Sequence, residues 1–266
     1  MEILGYLFSI LMGLSLGIIG GGGSILTVPI LVYFFKEEAV LATTSSLFIV
    51  GMTSLLGATI NAKRGLIDFK MGFSFAIPSF VGVFFSRKIV LPWIPDSFSM
   101  PGDLVITKPL LILFSFALLM IFASRAMINS GKNKSASLSE GHKHSILSIG
   151  IKGFLVGSTT GFVGAGGGFL IIPALVLLLH VPMRIAVGTS LAIITANSLF
   201  GFFISMGRQT IDWKLLLSIS FLGAMGLLLG LKISSRFNES KLKQGFGYFV
   251  LVIGLFILVD QILKMK

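Results

Sequence analysis

The sequence has 266 residues, of which 55% are hydrophobic and only 12% charged, with a mean hydropathy of +1.00. A soluble domain carries charge on about a quarter of its residues, so a water-exposed fold is excluded and most of the surface must meet lipid. The net charge of +11 lies on Lys and Arg between or beside apolar runs, which reads as topogenic charge against anionic lipid head groups rather than nucleic-acid binding. With no cysteine, disulfides, a thiol nucleophile and Cys-ligated metal are excluded as well.

The N-terminus, MEILGYLFSILMG, has neither a basic leader nor a small-residue cleavage site, and reads as a retained first membrane segment. Apolar runs then cover about 3–35 (through a glycine cluster), 39–62, 69–89, 105–128, 147–180, 185–206, 213–234 and 244–263. These runs are continuous rather than alternating, and a span takes about 20 residues. They predict an all-α integral membrane fold of about eight hydrophobic segments. Charge and turn signals separate them: Lys36-Glu37-Glu38, Lys63-Arg64-Gly65, Pro92 to Pro101 and Asn238-Glu239-Ser240. The stretch 129–146, NSGKNKSASLSEGHKHSI, is polar and aperiodic, a linker between residues 1–128 and 147–266.

A shift of 144 residues superimposes the two sides of that linker. Gly13, Gly17, Gly20, Gly22, Gly23 and Pro29 fall on Gly157, Gly161, Gly164, Gly166, Gly167 and Pro173. Arg64, Asp68 and Lys70 fall on Arg208, Asp212 and Lys214. From 13 to 89 the register holds without a gap, with about 24 of 77 pairs identical. Apolar composition alone would match Leu and Ile, not Gly, Pro, Arg and Asp. The sequence therefore predicts two homologous repeats. Their relative orientation stays open. A first segment that crosses once divides the 21 Lys and Arg 12 to 9, and one that turns back divides them 13 to 8. The length of 3–35 overshoots the ~30 Å hydrocarbon core and favours turning back.

Each repeat begins with a glycine-interrupted segment, broken or re-entrant: Gly20-Gly21-Gly22-Gly23-Ser24, and Gly164-Ala165-Gly166-Gly167-Gly168. Such runs are poor helix, and unwound backbone at membrane depth survives only against protein or a water-filled cavity. The chain after each run can restart a helix, whose free N–H groups and positive dipole end form an anion site. Gly13/Gly17 and Gly157/Gly161 read instead as small-residue helix packing. The second segments supply Thr43, Thr44, Ser45 and Ser46 in the first half, and Thr189, Ser190 and Asn197 in the second. Their hydroxyls and amide can donate to an oxyanion without charge, or serve as interhelical glue. Carboxylates lie only near segment ends (Asp68, Asp212, Asp260), which argues against a cation pump. Nothing in the pattern supplies a catalytic residue, a metal-ligand set or a cofactor motif.

The two glycine clusters, each followed by Pro (Pro29, Pro173) and then by ATTSSL or AVGTSL, resemble the sulfite exporter TauE/SafE family over essentially the whole chain. The resemblance implies a multi-pass permease of the cytoplasmic membrane, moving sulfite, sulfoacetate, other organosulfonates or related small anions. It implicates the two clusters and the Ser/Thr runs in binding. Thr43-Thr44 against Val187-Gly188, and Ser24 against Gly168, point to an asymmetric site. The expected partners are a small anionic substrate and the lipid bilayer, with a homodimer left open. Coordination is expected to be neutral, without a buried positive charge, so that the anion can leave again. The rival readings are a non-transporting assembly protein and a carrier of a different anion.

Overall fold

The computed structural model describes residues 2–100, 104–132, 146–163, 168–179, 181–208, 210–233 and 239–264. Apart from one short hairpin the described chain is helical. Helix α1 (Glu2–Ile19) is followed by α2 (Gly22–Phe34), whose first turn is a tight 3₁₀ turn and whose last, after Pro29, is a π turn. Then come α3 (Ala39–Lys63), α4 (Phe69–Trp93), α5 (Lys108–Lys132) and α6 (Ile146–Val163). Helix α7 runs over Gly168–Pro173 with a π turn at Ala174–Leu178, and α8 (Met183–Ser205), α9 (Trp213–Ile233) and α10 (Glu239–Lys264) complete the chain. Among the described residues six helices are long and apolar enough to cross a membrane: α1, α3, α4, α5, α8 and α9. Large apolar side chains such as Phe73, Phe122, Phe203 and Phe221 stand outward, an apolar surface suited to lipid.

The segment 92–107 departs from expectation. Strands β1 (Ser97–Met100) and β2 (Leu104–Thr107) pair antiparallel, Ser97 opposite Thr107 and Met100 opposite Leu104. The apolar run read as helix from 105 therefore begins as strand. Val105-Ile106-Thr107 is a β-branched triplet that favours a pleated conformation, and helix starts at Lys108.

The first 35 residues double back. Gly20 has φ +87°, a left-handed conformation that costs glycine nothing, and its N–H closes α1 on the Leu16 carbonyl at 2.7 Å. Helix α2 then returns along α1. Gly23 lies against the backbone of Met12 and Leu16, while Phe35 and Phe34 reach Gly5. The rings of Tyr6 and Phe35 stand 5.1 Å apart, and those of Phe8 and Phe34 5.0 Å. A second reversal follows the linker. Gly153 near the start of α6 packs on Phe75, Gly161 near its end packs on Val83, and Gly188 in the first turns of α8 is back beside Asn61 and Leu66.

Close glycine contacts also give the helix directions. Helix α1 runs parallel to α9, with Gly13 against Gly223 and Gly17 against Leu227 and Leu231. Helix α6 runs parallel to α4 with the same spacing, Gly157 against Ser79 and Gly161 against Val83. The expectation of small-residue packing at these glycines is met, and each lets backbones approach where any Cβ would intrude. Helices α3 and α8 run antiparallel, Gly51 facing Leu199 and Gly57 facing Leu191. So do α5 and α10, Gly247 facing Ile128 and Gly254 facing Met120. Local bonds recur at the 144-residue spacing. Glu37 N–H donates to Leu31 O (3.1 Å) as Val181 N–H does to Leu175 O (3.0 Å). Asp68 caps α4 through Met71 N–H (2.9 Å) as Asp212 caps α9 through Leu215 N–H (3.1 Å). At the end of α2, the Tyr33 hydroxyl donates to Asp260 Oδ2 (2.9 Å), tying α2 to α10.

Candidate functional site

The first glycine cluster is wholly buried from Gly20 to Ser24. The Ser24 hydroxyl donates back to the Gly21 carbonyl at 2.8 Å, so it steadies the turn. A Cβ on Gly21 would run into the Gly168 carbonyl, and one on Gly168 into the Gly21 backbone. The two reversals thus meet backbone to backbone. Gly20 packs on Val187. Gly164, Ala165, Gly166 and Gly167, named with Gly168 as the second cluster, lie outside the described residues.

The polar residues of α3 and α8 separate into three groups. At the start of α3, Thr43 and Thr44 hold the guanidinium of Arg87, which is only 3% exposed. Arg87 Nη1 donates to the Thr44 and Thr43 hydroxyls (3.2 and 3.4 Å), and Nη2 donates to the Thr43 carbonyl (3.1 Å). Ser46 bonds locally to the Thr43 carbonyl. At the opposite end, the Thr189 hydroxyl accepts the Asp68 N–H at 2.9 Å, and Ser190 bonds back to the Val187 carbonyl. Along α8, Asn197 Nδ2 donates to the Ser79 hydroxyl, while its Oδ1 is buried without a partner among the described residues. The named residues therefore do not converge on one pocket. Replacing Ser79 by Ala removes the amide's acceptor, and a loss of about 1–3 kcal/mol is expected for the unpaired buried donor, read as a fall in Tm against Thr59→Ala, whose hydroxyl is exposed.

Arg87 is a buried positive charge where the sequence reading expected none. It lies within α4, near the end of the apolar run 69–89. Two sequence signals mark it: at the 144-residue shift Arg87 falls on Leu231, and the Thr43-Thr44 pair that holds it falls on Val187-Gly188. Beside it opens a cleft of about 130 Å³ between the starts of α3 and α5 and the ends of α4 and α8. It is lined by Val40, Thr44, Arg87, Leu91, Pro92, Lys108, Ile204 and Ser205, with no carboxylate among them. Lys108 Nζ stands 3.9 Å from Asp96, whose side chain is fully exposed. A larger crevice of about 190 Å³ between α4 and α8, lined by Phe73, Ala76, Phe80, Ala192 and neighbours, is almost wholly apolar and suits lipid or packing rather than an ion.

In the loop between α2 and α3, burial pushes the Glu37 carboxyl above the usual carboxylate range; the nearby Ser45 hydroxyl pulls it down and Asp212 pushes it further up. The folded chain therefore holds this proton more tightly than the unfolded one. Its contribution to stability is full below the unfolded value and is lost as pH rises through the folded value. Glu37→Gln should flatten that part of the profile and raise Tm at neutral pH. A parallel pH–Tm curve for wild type and variant would count against the assignment.

The pattern of the family described as "Sulfite exporter TauE/SafE" matches residues 6–257. A protein of Xylella fastidiosa (strain 9a5c) named "Probable membrane transporter protein" is 29% identical over 255 residues, covering 93% of this chain and 91% of its own. A Methanocaldococcus jannaschii protein of similar name is 27% identical, covering 94% of each chain. The Bacillus subtilis "Probable membrane transporter protein YunE" is 27% identical over 87% of this chain and 90% of its own. No solved structure matches. A family match across nearly the whole length, on a bundle of membrane-long helices, makes this chain a membrane transporter of the sulfite exporter TauE/SafE family.

Proposed function

We propose that the chain is a secondary transporter of the cytoplasmic membrane that exports small anions such as sulfite, sulfoacetate or other organosulfonates, built from two homologous repeats, 1–128 and 147–266, inserted in opposite senses. The observation that carries this reading is the meeting of the two reversals, Gly21 against Gly168, in the interior of the bundle. Equivalent helices that run antiparallel, α3 with α8 and α5 with α10, support inversion, because parallel repeats would align them. Inverted repeats with broken helices at their interface are a recurring transporter architecture, with substrate at the crossing point. Turning back divides the Lys and Arg 13 to 8, which assigns the linker 129–146 and the starts of α6 and α8 to the cytoplasm.

In this reading the two glycine clusters, Gly20–Gly23 and Gly164–Gly168, supply backbone amide N–H groups to the anion, with Ser24, Ser45, Ser46, Ser190 and Asn197 close to the route. Thr43 and Thr44 act through Arg87. Alternating access is a rocking of one hairpin against the other, pivoting where Gly21 and Gly168 meet backbone against backbone. To test it, the purified chain is reconstituted in liposomes and efflux of sulfite and sulfoacetate is followed, with sulfate, thiosulfate and a small carboxylate as competitors. Saturable flux of a sulfur oxyanion is expected. Flux of none of these anions above empty liposomes would end the reading, and flux of the carboxylate alone would move the chain to another substrate class.

A further inference from the structure

We propose that the cleft beside Arg87 is a one-sided docking site for the head group of a small oxyanion, a sulfonate, sulfite or sulfate group. This rests on the reading that the chain carries anions, and adds a site at one mouth of the molecule, apart from the meeting point of the hairpins. Arg87 is buried to 3% exposure, and every acceptor it touches is neutral: the Thr43 carbonyl and two hydroxyls. Its Nε–H, buried as well, has no partner among the described residues. A buried guanidinium without a counter-charge costs several kcal/mol, and an intramembrane cation that is kept at such a cost marks a functional site. The second cation lining the cleft, Lys108, is 14% exposed, and the carboxylate paired with it among the described residues, Asp96, is fully in solvent, so their attraction is weak and screened. Two positive groups on one small cavity, with no carboxylate among the described residues of its wall, make a place for an anion with one or two charges.

A purely structural role for Arg87, as a strut between α4 and α3, is the competing account. Leucine does that work in the other repeat, where Leu231 is buried at the equivalent position and Val187-Gly188 replace the two threonines. The polar apparatus is therefore present once in an otherwise duplicated frame. It lies at the end away from the linker, with the starts of α3 and α5. The transporter thus has unlike mouths, one of which concentrates anions and one of which does not.

The test is a thermal-shift titration of the full-length protein in detergent with sodium sulfite and sodium sulfate, against sodium chloride at equal ionic strength, with liposome flux measured in parallel. Wild type should be stabilised by both oxyanions over chloride. Lys108→Gln should weaken the apparent affinity about tenfold, the size of one charge-assisted hydrogen bond. Asp96→Asn should strengthen it by releasing Lys108. Arg87→Gln should abolish the shift, and Lys88→Gln, an exposed charge one residue away, should change nothing. If Arg87→Gln does not fold, the opposite signs of Lys108→Gln and Asp96→Asn decide. Unchanged anion dependence in both of those variants overturns the site. Should wild-type flux persist in that case, the transport reading stands without it. Binding that survives where wild type shows no flux leaves the site and removes the transport reading.

Discussion

Gly21→Leu is expected to abolish anion flux and to cost several kcal/mol of stability. At this position a Cβ alone would run into the Gly168 carbonyl, carbon and Cα, and the obstruction is backbone, which cannot swing aside as a side chain can. Overpacking a filled interior usually costs about 1–3 kcal/mol where side chains can repack. Here the two reversals must separate instead. Gly168→Leu should reproduce the loss from the opposite side, since its Cβ meets the Gly21 oxygen and Cα. Gly245→Ala serves as the control, because nothing lies within 4 Å of the added carbon. Its position in α10 predicts a neutral or slightly stabilising change. Tm from intrinsic fluorescence and efflux from liposomes read the two effects separately. Normal flux from a folded Gly21→Leu protein would mean that the hairpins need not touch during transport.

The second large effect is expected at the Arg87 cluster and is a sign reversal. Thr43→Val with Thr44→Val removes two of the three side-chain donations that Arg87 makes, leaving the Thr43 carbonyl. Hydrogen bonds to charged groups are worth about 1.5–3 kcal/mol each when buried, so the double variant should lose about 3 kcal/mol or more. Adding Arg87→Leu to that background should recover most of it, because an apolar residue of similar volume then sits among apolar neighbours. The positions 144 residues on, Leu231, Val187 and Gly188, already have this composition. The triple variant should be folded, stable and inactive. A triple variant less stable than the double would show that Arg87 supports the fold through contacts other than the threonines.

Much of this arrangement can be read from the residues. The run from Gly20 to Ser24 is poor helix, and the 33 residues of 3–35 before the first charged break exceed one crossing, so a reversal is legible from glycine chemistry and length. The proposed duplication rests on Gly, Pro, Arg and Asp recurring at one spacing. Which helices embrace is not legible. A shift of 144 says that α1 corresponds to α6, but not that α1 packs on α9 and α6 on α4. That choice lies in which small-residue faces fit, and it is made between residues far apart in sequence. The role of Arg87 is not legible, because the Arg87-Lys88 pair near the end of an apolar run reads as charge at a segment end, and its threonine partners sit on another helix. The β hairpin at Ser97–Thr107 was hidden by an apolar run that continues into α5 without a change of composition.

The exchange of partners between α1–α9 and α4–α6 bears on how the chain is made. When α1 leaves the ribosome, the groove that receives Gly13 and Gly17 does not yet exist, since Gly223 and Leu227 are still to be translated. A short hairpin with a glycine tip is a poor candidate to wait alone in hydrocarbon, where its unwound amides have no acceptors. Insertion must therefore be completed late, with the first hairpin drawn into place after α9 has entered. Two separately expressed fragments cut within 133–145 should each be degraded alone and rescue one another when made together.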